Sequence, residues 1–186
     1  LLFTLSVDVD KTAPIANAGP DQVTDPTEIE LDGTQSRSPQ QQPLQYSWKL
    51  LQGPDEKVKI EPPDSKKPRV ILRKAGEYLF QLVVDNGLKK SPQSVTRIRV
   101  RNLAPYADAG FPQTVNVGNE VTLDGSQSGD SNADPLRFRW QQQAGEPVVL
   151  LDKTTSSPRF TPTKAGIYRF SLTVQEDHML QEQLVS

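Results

Sequence analysis

Apolar residues in this chain recur at every second position in short runs, not at every third or fourth. Ile29 and Leu31 alternate with polar neighbours, as do Val121 and Leu123 further along. Leu44, Tyr46 and Trp48 form a second stripe, matched by Leu136, Phe138 and Trp140. Tyr78, Phe80, Leu82 and Val84 form a third, matched by Tyr168, Phe170, Leu172 and Val174, and Ile98 with Val100 a fourth. A period of two puts successive side chains on opposite faces of a strand, so each run predicts a strand with one buried face. The runs end at Gly, Pro, Asn and Asp, and no window shows the 3.6-residue period of an amphipathic helix. The expected class is all-β, with short strands packed as sandwiches.

The stripes come in two copies. APIANAGPDQ from Ala13 returns as APYADAGFPQ from Ala104, and LDGTQS from Leu31 as LDGSQS from Leu123. PLQYSW, ending at Trp48, returns as PLRFRW, ending at Trp140, and KAGEYLFQLVV from Lys74 as KAGIYRFSLTV from Lys164. Offsets of 90 to 92 residues mean one scaffold repeated with small changes in its loops. The predicted organisation is one domain over residues 13–102 and a second over 103–186. Residues 1–12 hold an additional alternating run, Leu5, Val7 and Val9, read as an orphan strand or the tail of an upstream repeat. Counting on from Val174 by the spacing that separates Val84 from Ile98 runs past Ser186, so the second domain is expected to lack most of its last strand. An orphan strand beside a vacant edge predicts strand exchange between copies of this chain.

The repeated motifs P-x-A-x-A-G, LDG-[TS]-Q-S, P-L-x-[YF]-x-W and AG-x-Y-x-F-x-L-x-V cover nearly all of residues 13 to 177. Together they resemble tandem PKD (polycystic kidney disease-type) repeats, which are immunoglobulin-like sandwiches. The segments WKLLQGP and WQQQAGEP after each tryptophan are similar to the variety found in bacterial multidomain surface proteins and some animal receptors. The resemblance implies two tandem immunoglobulin-like β-sandwiches with Trp48 and Trp140 between the sheets. It also implies that Tyr78 and Tyr168 are tyrosine corners, each ring packed and each hydroxyl bonded to nearby backbone. All four are therefore expected in the structural core, and not as platforms for a sugar ring.

Composition narrows the function. Hydrophobic residues make up 34% of the 186 and the net charge is −2, which argues against wholesale attraction to nucleic acid or an anionic membrane. There is no cysteine, hence neither disulfide nor thiol chemistry. No apolar run is long enough to span a bilayer, and LLFTLSVDVD does not read as a signal peptide. The chain reads as a segment of something larger, placed by its family outside the cell, on the cell surface or in the periplasm. The one histidine, His178, has no evident catalytic partner, and no phosphate loop, zinc spacing or nucleophile elbow is present.

Two stretches could bind something. Asp130, Asn132 and Asp134 form a D-x-N-x-D run resembling the first half of a calcium loop, and calcium wants six to eight oxygens. The first domain has RSPQQQP there, so the fold requires no cofactor, and weak calcium binding is expected in the second domain alone. Asp32 and Asp124, each before a glycine, read as turn residues instead. Twelve basic residues face four acidic ones between Lys57 and Arg101, and Arg97, Arg99 and Arg101 alternate with Ile98 and Val100. These three arginines point outward, either as a polyanion patch or as charge that protects an edge strand. The expected function is a non-catalytic spacer and interaction or adhesion module whose partner is a protein or a cell-surface glycan. The competing expectation is a carbohydrate- or polyanion-binding accessory module of a secreted hydrolase.

Overall fold

The computed structural model describes residues 12–177, which fall into two compact units divided between Asn102 and Leu103. The orphan strand at Leu5, Val7 and Val9, and the last strand of the second domain, lie outside the described residues. Among the described residues every regular element is a strand, and no helix is long and apolar enough to cross a membrane.

Unit 1 is a sandwich of two sheets. One holds β1 (Gln22–Thr24), β7 (Ser94–Val100), β6 (Gly76–Asp85) and β3 (Gln45–Gln52), in that order. The other holds β2 (Thr27–Glu30), β5 (Arg69–Leu72) and β4 (Ile60–Glu61). All pairings are antiparallel except β1 with β7, which run parallel with Val23 opposite Arg99. The long stripe on β6 drives the fold, because Tyr78, Phe80, Leu82 and Val84 are all fully buried. Each such side chain contributes about 1.5–3 kcal/mol on burial. Trp48 from β3 and Ile98 and Val100 from β7 join them, against Leu31, Val70 and Leu72 from the facing side. Ile29, Leu44 and Tyr46 pack around the edge of this cluster.

The LDG motif makes the corner between the sheets. The carboxylate of Asp32 accepts the backbone N–H of Thr34 at 2.8 Å and its hydroxyl at 2.6 Å, closing a local turn. The Thr34 hydroxyl bond, helped by the backbone bond, holds the Asp32 carboxyl below its ordinary pKa. Gly33 then sits where a Cβ would lie 3.0 Å from Leu82, 3.1 Å from the Lys66 carbonyl and 3.2 Å from the Trp48 ring. Glycine is thus required there by close packing.

Unit 2 repeats the plan with fewer residues in strands. β8 (Val121–Thr122) pairs with β10 (Arg159–Phe160), and β9 (Leu136–Ala144) with β11 (Arg169–Glu176), both antiparallel. Trp140, Val121 and Phe160 are buried, but Tyr168, Phe170, Leu172 and Val174 are only partly so. In unit 1, β7 flanks β6, whereas among the described residues of unit 2 only β9 pairs with β11. A cleft lined by Val115, Val121, Phe160 and Phe170 opens beside β11, with Phe111 and Ile167 exposed at its rim.

Candidate functional site

Both tryptophans are held inside. Trp48 is 5% exposed and Trp140 is 3% exposed. The Trp48 indole N–H donates to the carbonyl of Ser65 at 3.0 Å, while its backbone N–H donates to Pro63 at 3.0 Å. Trp140 is clasped in the same way, by the carbonyls of Thr155 and Lys153. The clasping loop covers the free edge of the sheet at that point, which blocks pairing with another chain. Neither ring offers a face to a sugar.

The Tyr78 hydroxyl donates to the carbonyl of Lys74 at 3.0 Å, and the Tyr168 hydroxyl to that of Lys164 at 2.8 Å. Each spans four residues back along the chain, the geometry of a tyrosine corner. Burial, helped by the nearby Asp55 carboxylate, pushes the Tyr78 phenol up to about 12. Tyr168 is half-buried, with Phe160 5.8 Å away between ring centres.

Arg97, Arg99 and Arg101 are all exposed on the outer face of β7 and its end. Arg97 Nε lies 3.8 Å from Glu77, and Arg101 Nε lies 2.8 Å from Asp25. Acidic neighbours thus offset part of the positive field on this face. Such exposed pairs contribute little stability, of order 0–1 kcal/mol each. A second basic surface lies in unit 2, where Arg139 and Lys153 line a shallow groove with Thr154, Thr173 and Gln175.

The acidic loop of unit 2 is organised around Asp130. One of its carboxylate oxygens, Oδ1, accepts the backbone N–H groups of Asn132 at 2.7 Å and Asp134 at 3.2 Å. Its other oxygen, Oδ2, is buried and meets no hydrogen-bond donor. Asn132 is fully buried, and its side-chain oxygen accepts the backbone N–H of Leu103 at 2.8 Å. That makes Asn132 a strut between this loop and the entry to unit 2. The third acid here comes instead from the end of β11, where Glu176 stands opposite Leu136. Carboxylate oxygens of Asp130, Asp134 and Glu176 lie within 4.8 Å of one another. Asp177, next in sequence, pairs with Arg137 at 2.7 Å, and this contact raises the pKa of the guanidinium.

Glu176 was legible in principle. It falls two residues beyond Val174, on the inward parity of β11, where an acid interrupts an apolar stripe. His178 lies outside the described residues.

Comparison with known proteins gives a consistent picture. The profile of the K319L-like PKD domain matches residues 18–100 and 109–184. The chain is 34% identical over 192 residues to the mouse dyslexia-associated protein KIAA0319-like protein, covering 97% of this chain and 18% of that one. It is 29% identical over 159 residues to human polycystin-1, covering 70% of this chain and 4% of that one. The chain therefore spans less than a fifth of the length of these relatives. The solution structure of the PKD domain from KIAA 1837 protein is 29% identical, with a TM-score of 0.41 over 53% of this chain and 92% of that one.

Proposed function

The chain belongs to the K319L-like PKD-domain family, and we propose that it is a non-catalytic spacer and protein-interaction module of a larger extracellular or cell-surface protein. One observation carries this reading. The aromatic side chains that a small-ligand site would use, Trp48, Trp140 and Tyr78, are spent on the interior and bonded to backbone. What faces outward is a mixed surface of charged residues and scattered exposed apolar ones such as Val23, Ile71 and Val95. Such a surface suits contact with another protein over a broad area.

A second reading, a module for sulfated glycans or other polyanions, draws support from the Arg139 and Lys153 groove and from Arg99 between the two paired arginines. Heparin chromatography separates the two. The spacer reading predicts elution at or below about 0.15 M salt, where charges are screened beyond ~8 Å. The triple variant Arg97→Ala/Arg99→Ala/Arg101→Ala should elute with it. Retention to well above that salt, lost in this variant or in Arg139→Ala/Lys153→Ala, would establish the polyanion module instead.

A further inference from the structure

The two repeats carry opposite charge on one matching surface. In unit 2 the backbone N–H of Trp140 donates to the Lys153 carbonyl at 3.0 Å, which lays Lys153 and Thr154 along the free edge of β9. The groove between this loop and the outer face of the sheet is lined by Arg139, Gln141, Lys153, Thr154, Thr173 and Gln175. Arg139 stands opposite Thr173 in the strand register. In unit 1 the Trp48 N–H donates to Pro63 instead. The repeat offsets there place Ser47 at Arg139, Lys49 at Gln141, Asp64 at Thr154, Val83 at Thr173 and Asp85 at Gln175. One lysine against two aspartates leaves unit 1 a net −1 at these positions, where Arg139 and Lys153 give unit 2 a net +2.

Both cations are left uncommitted by their own unit. Arg137 pairs with Asp177, Arg159 with Glu120 and Asp152, and Lys164 with Glu146. Arg139 and Lys153 are exposed and have no acidic partner among the described residues. An exposed cation without a counter-charge keeps its attraction for an incoming anion. Yet residues 102–186 hold six basic and ten acidic residues, so the surroundings of the groove are negative on balance. A long polyanion would reach past the screening length of ~8 Å into that surplus, whereas a short acidic segment would not. Thr154, Thr173, Gln141 and Gln175 add uncharged donors and acceptors that suit a peptide backbone.

We infer that this groove of unit 2 receives an extended acidic segment of a partner protein, an inference that rests on the protein-interaction reading. The guanidinium of Arg139 takes one carboxylate through paired N–H donors, and the Lys153 ammonium takes another as a point charge. Acids at alternate positions put their carboxylates on one face of an extended segment, which turns that face to the groove. Unit 1 carries Asp64 and Asp85 at the matching place and repels the same segment, so only one of the two repeats is addressed.

The probe is a blocked peptide of alternating glutamate and threonine, titrated into the 186-residue chain and followed by two-dimensional NMR. Amide signals should move at Arg139, Lys153, Thr154 and Thr173, and stay fixed at Ser47, Asp64 and Val83. Binding should weaken several-fold between ~0.05 and ~0.5 M salt. Arg139→Ser/Lys153→Ala should weaken it at least about tenfold. That variant should melt within about 4 °C of the original, because Lys153 serves Trp140 only through its backbone carbonyl. Arg97→Ala/Arg101→Ala should bind as the original does. Fixed signals at about 5 mM peptide, or equal movement in the Arg139→Ser/Lys153→Ala variant, would overturn the groove as an acidic-peptide site and leave the protein-interaction reading to other surfaces. A heparin hexasaccharide that moves the same amides at lower concentration than the peptide, at ~0.15 M salt, would overturn both.

Discussion

Truncating Trp48 to alanine tests the interior assignment at its most consequential position. The ring is 5% exposed, rests on Gly33, and donates its N–H to the Ser65 carbonyl. Replacing a buried tryptophan by alanine costs ~3–5 kcal/mol, most of it lost burial and the cavity left behind. A small domain has only about 5–15 kcal/mol to lose. For a domain of this size each kcal/mol lowers the melting temperature by roughly 4–8 °C. The melting of unit 1 should therefore fall by about 12–40 °C in Trp48→Ala. Trp48→Phe, which keeps part of the ring volume and loses the N–H, should lie between. Trp140→Ala should do the same to unit 2, where the indole bonds Thr155. Differential scanning calorimetry reads all three. An exposed sugar platform would change stability by no more than ~0.5 kcal/mol. If Trp48→Ala and Trp140→Ala both melt within about 4 °C of the original, the interior assignment is refuted.

Other consequences follow from individual contacts. A Cβ on Gly33 would meet Leu82, the Lys66 carbonyl and Trp48 at 3.0–3.2 Å, so Gly33→Ala should cost about 1–3 kcal/mol in urea denaturation. An unchanged midpoint would show that this corner gives way easily. The Tyr78 phenol is raised to about 12 in the fold, against ~10 unfolded. Its contribution is present in full below pH ~10 and is lost as pH climbs from there through about 12. Tyr78→Phe should flatten that alkaline limb, and an identical limb in the variant would assign it to other groups. The cleft beside β11, with Phe111 93% exposed and Ile167 74% exposed, should accept a strand from another copy of the chain. Light scattering should then show association at high concentration that disappears on deletion of residues 1–12. A strictly monomeric chain, or association that survives the deletion, would remove strand exchange.

Much of the architecture is local in origin and so could be read directly. The stripes at Tyr78, Phe80, Leu82 and Val84 and at Leu44, Tyr46 and Trp48 follow the two-residue period whatever else the chain does, and the LDG turns close within three residues. What escaped depends on distant partners. β1 is three residues long with Val23 largely exposed, so no alternation announces its parallel pairing with β7. The loops that clasp the tryptophans use backbone carbonyls, which carry no side-chain signature. At the acidic loop, Asp130, Asn132 and Asp134 are visible in the spacing, whereas the bond from the Leu103 backbone N–H, nearly thirty residues earlier, to the Asn132 side-chain oxygen carries no sequence signal. Glu176 joins the loop only because antiparallel pairing returns β11 beside Leu136.

The proposed role stands or falls on what the outer surface binds. Multimerised chain, applied to cells before and after enzymatic removal of surface glycosaminoglycans and before and after mild surface proteolysis, measures this directly. A protein-interaction module predicts binding that survives the glycosaminoglycan lyase and is lost on proteolysis. Binding abolished by the lyase alone would contradict the account and make this pair of domains a polyanion receptor.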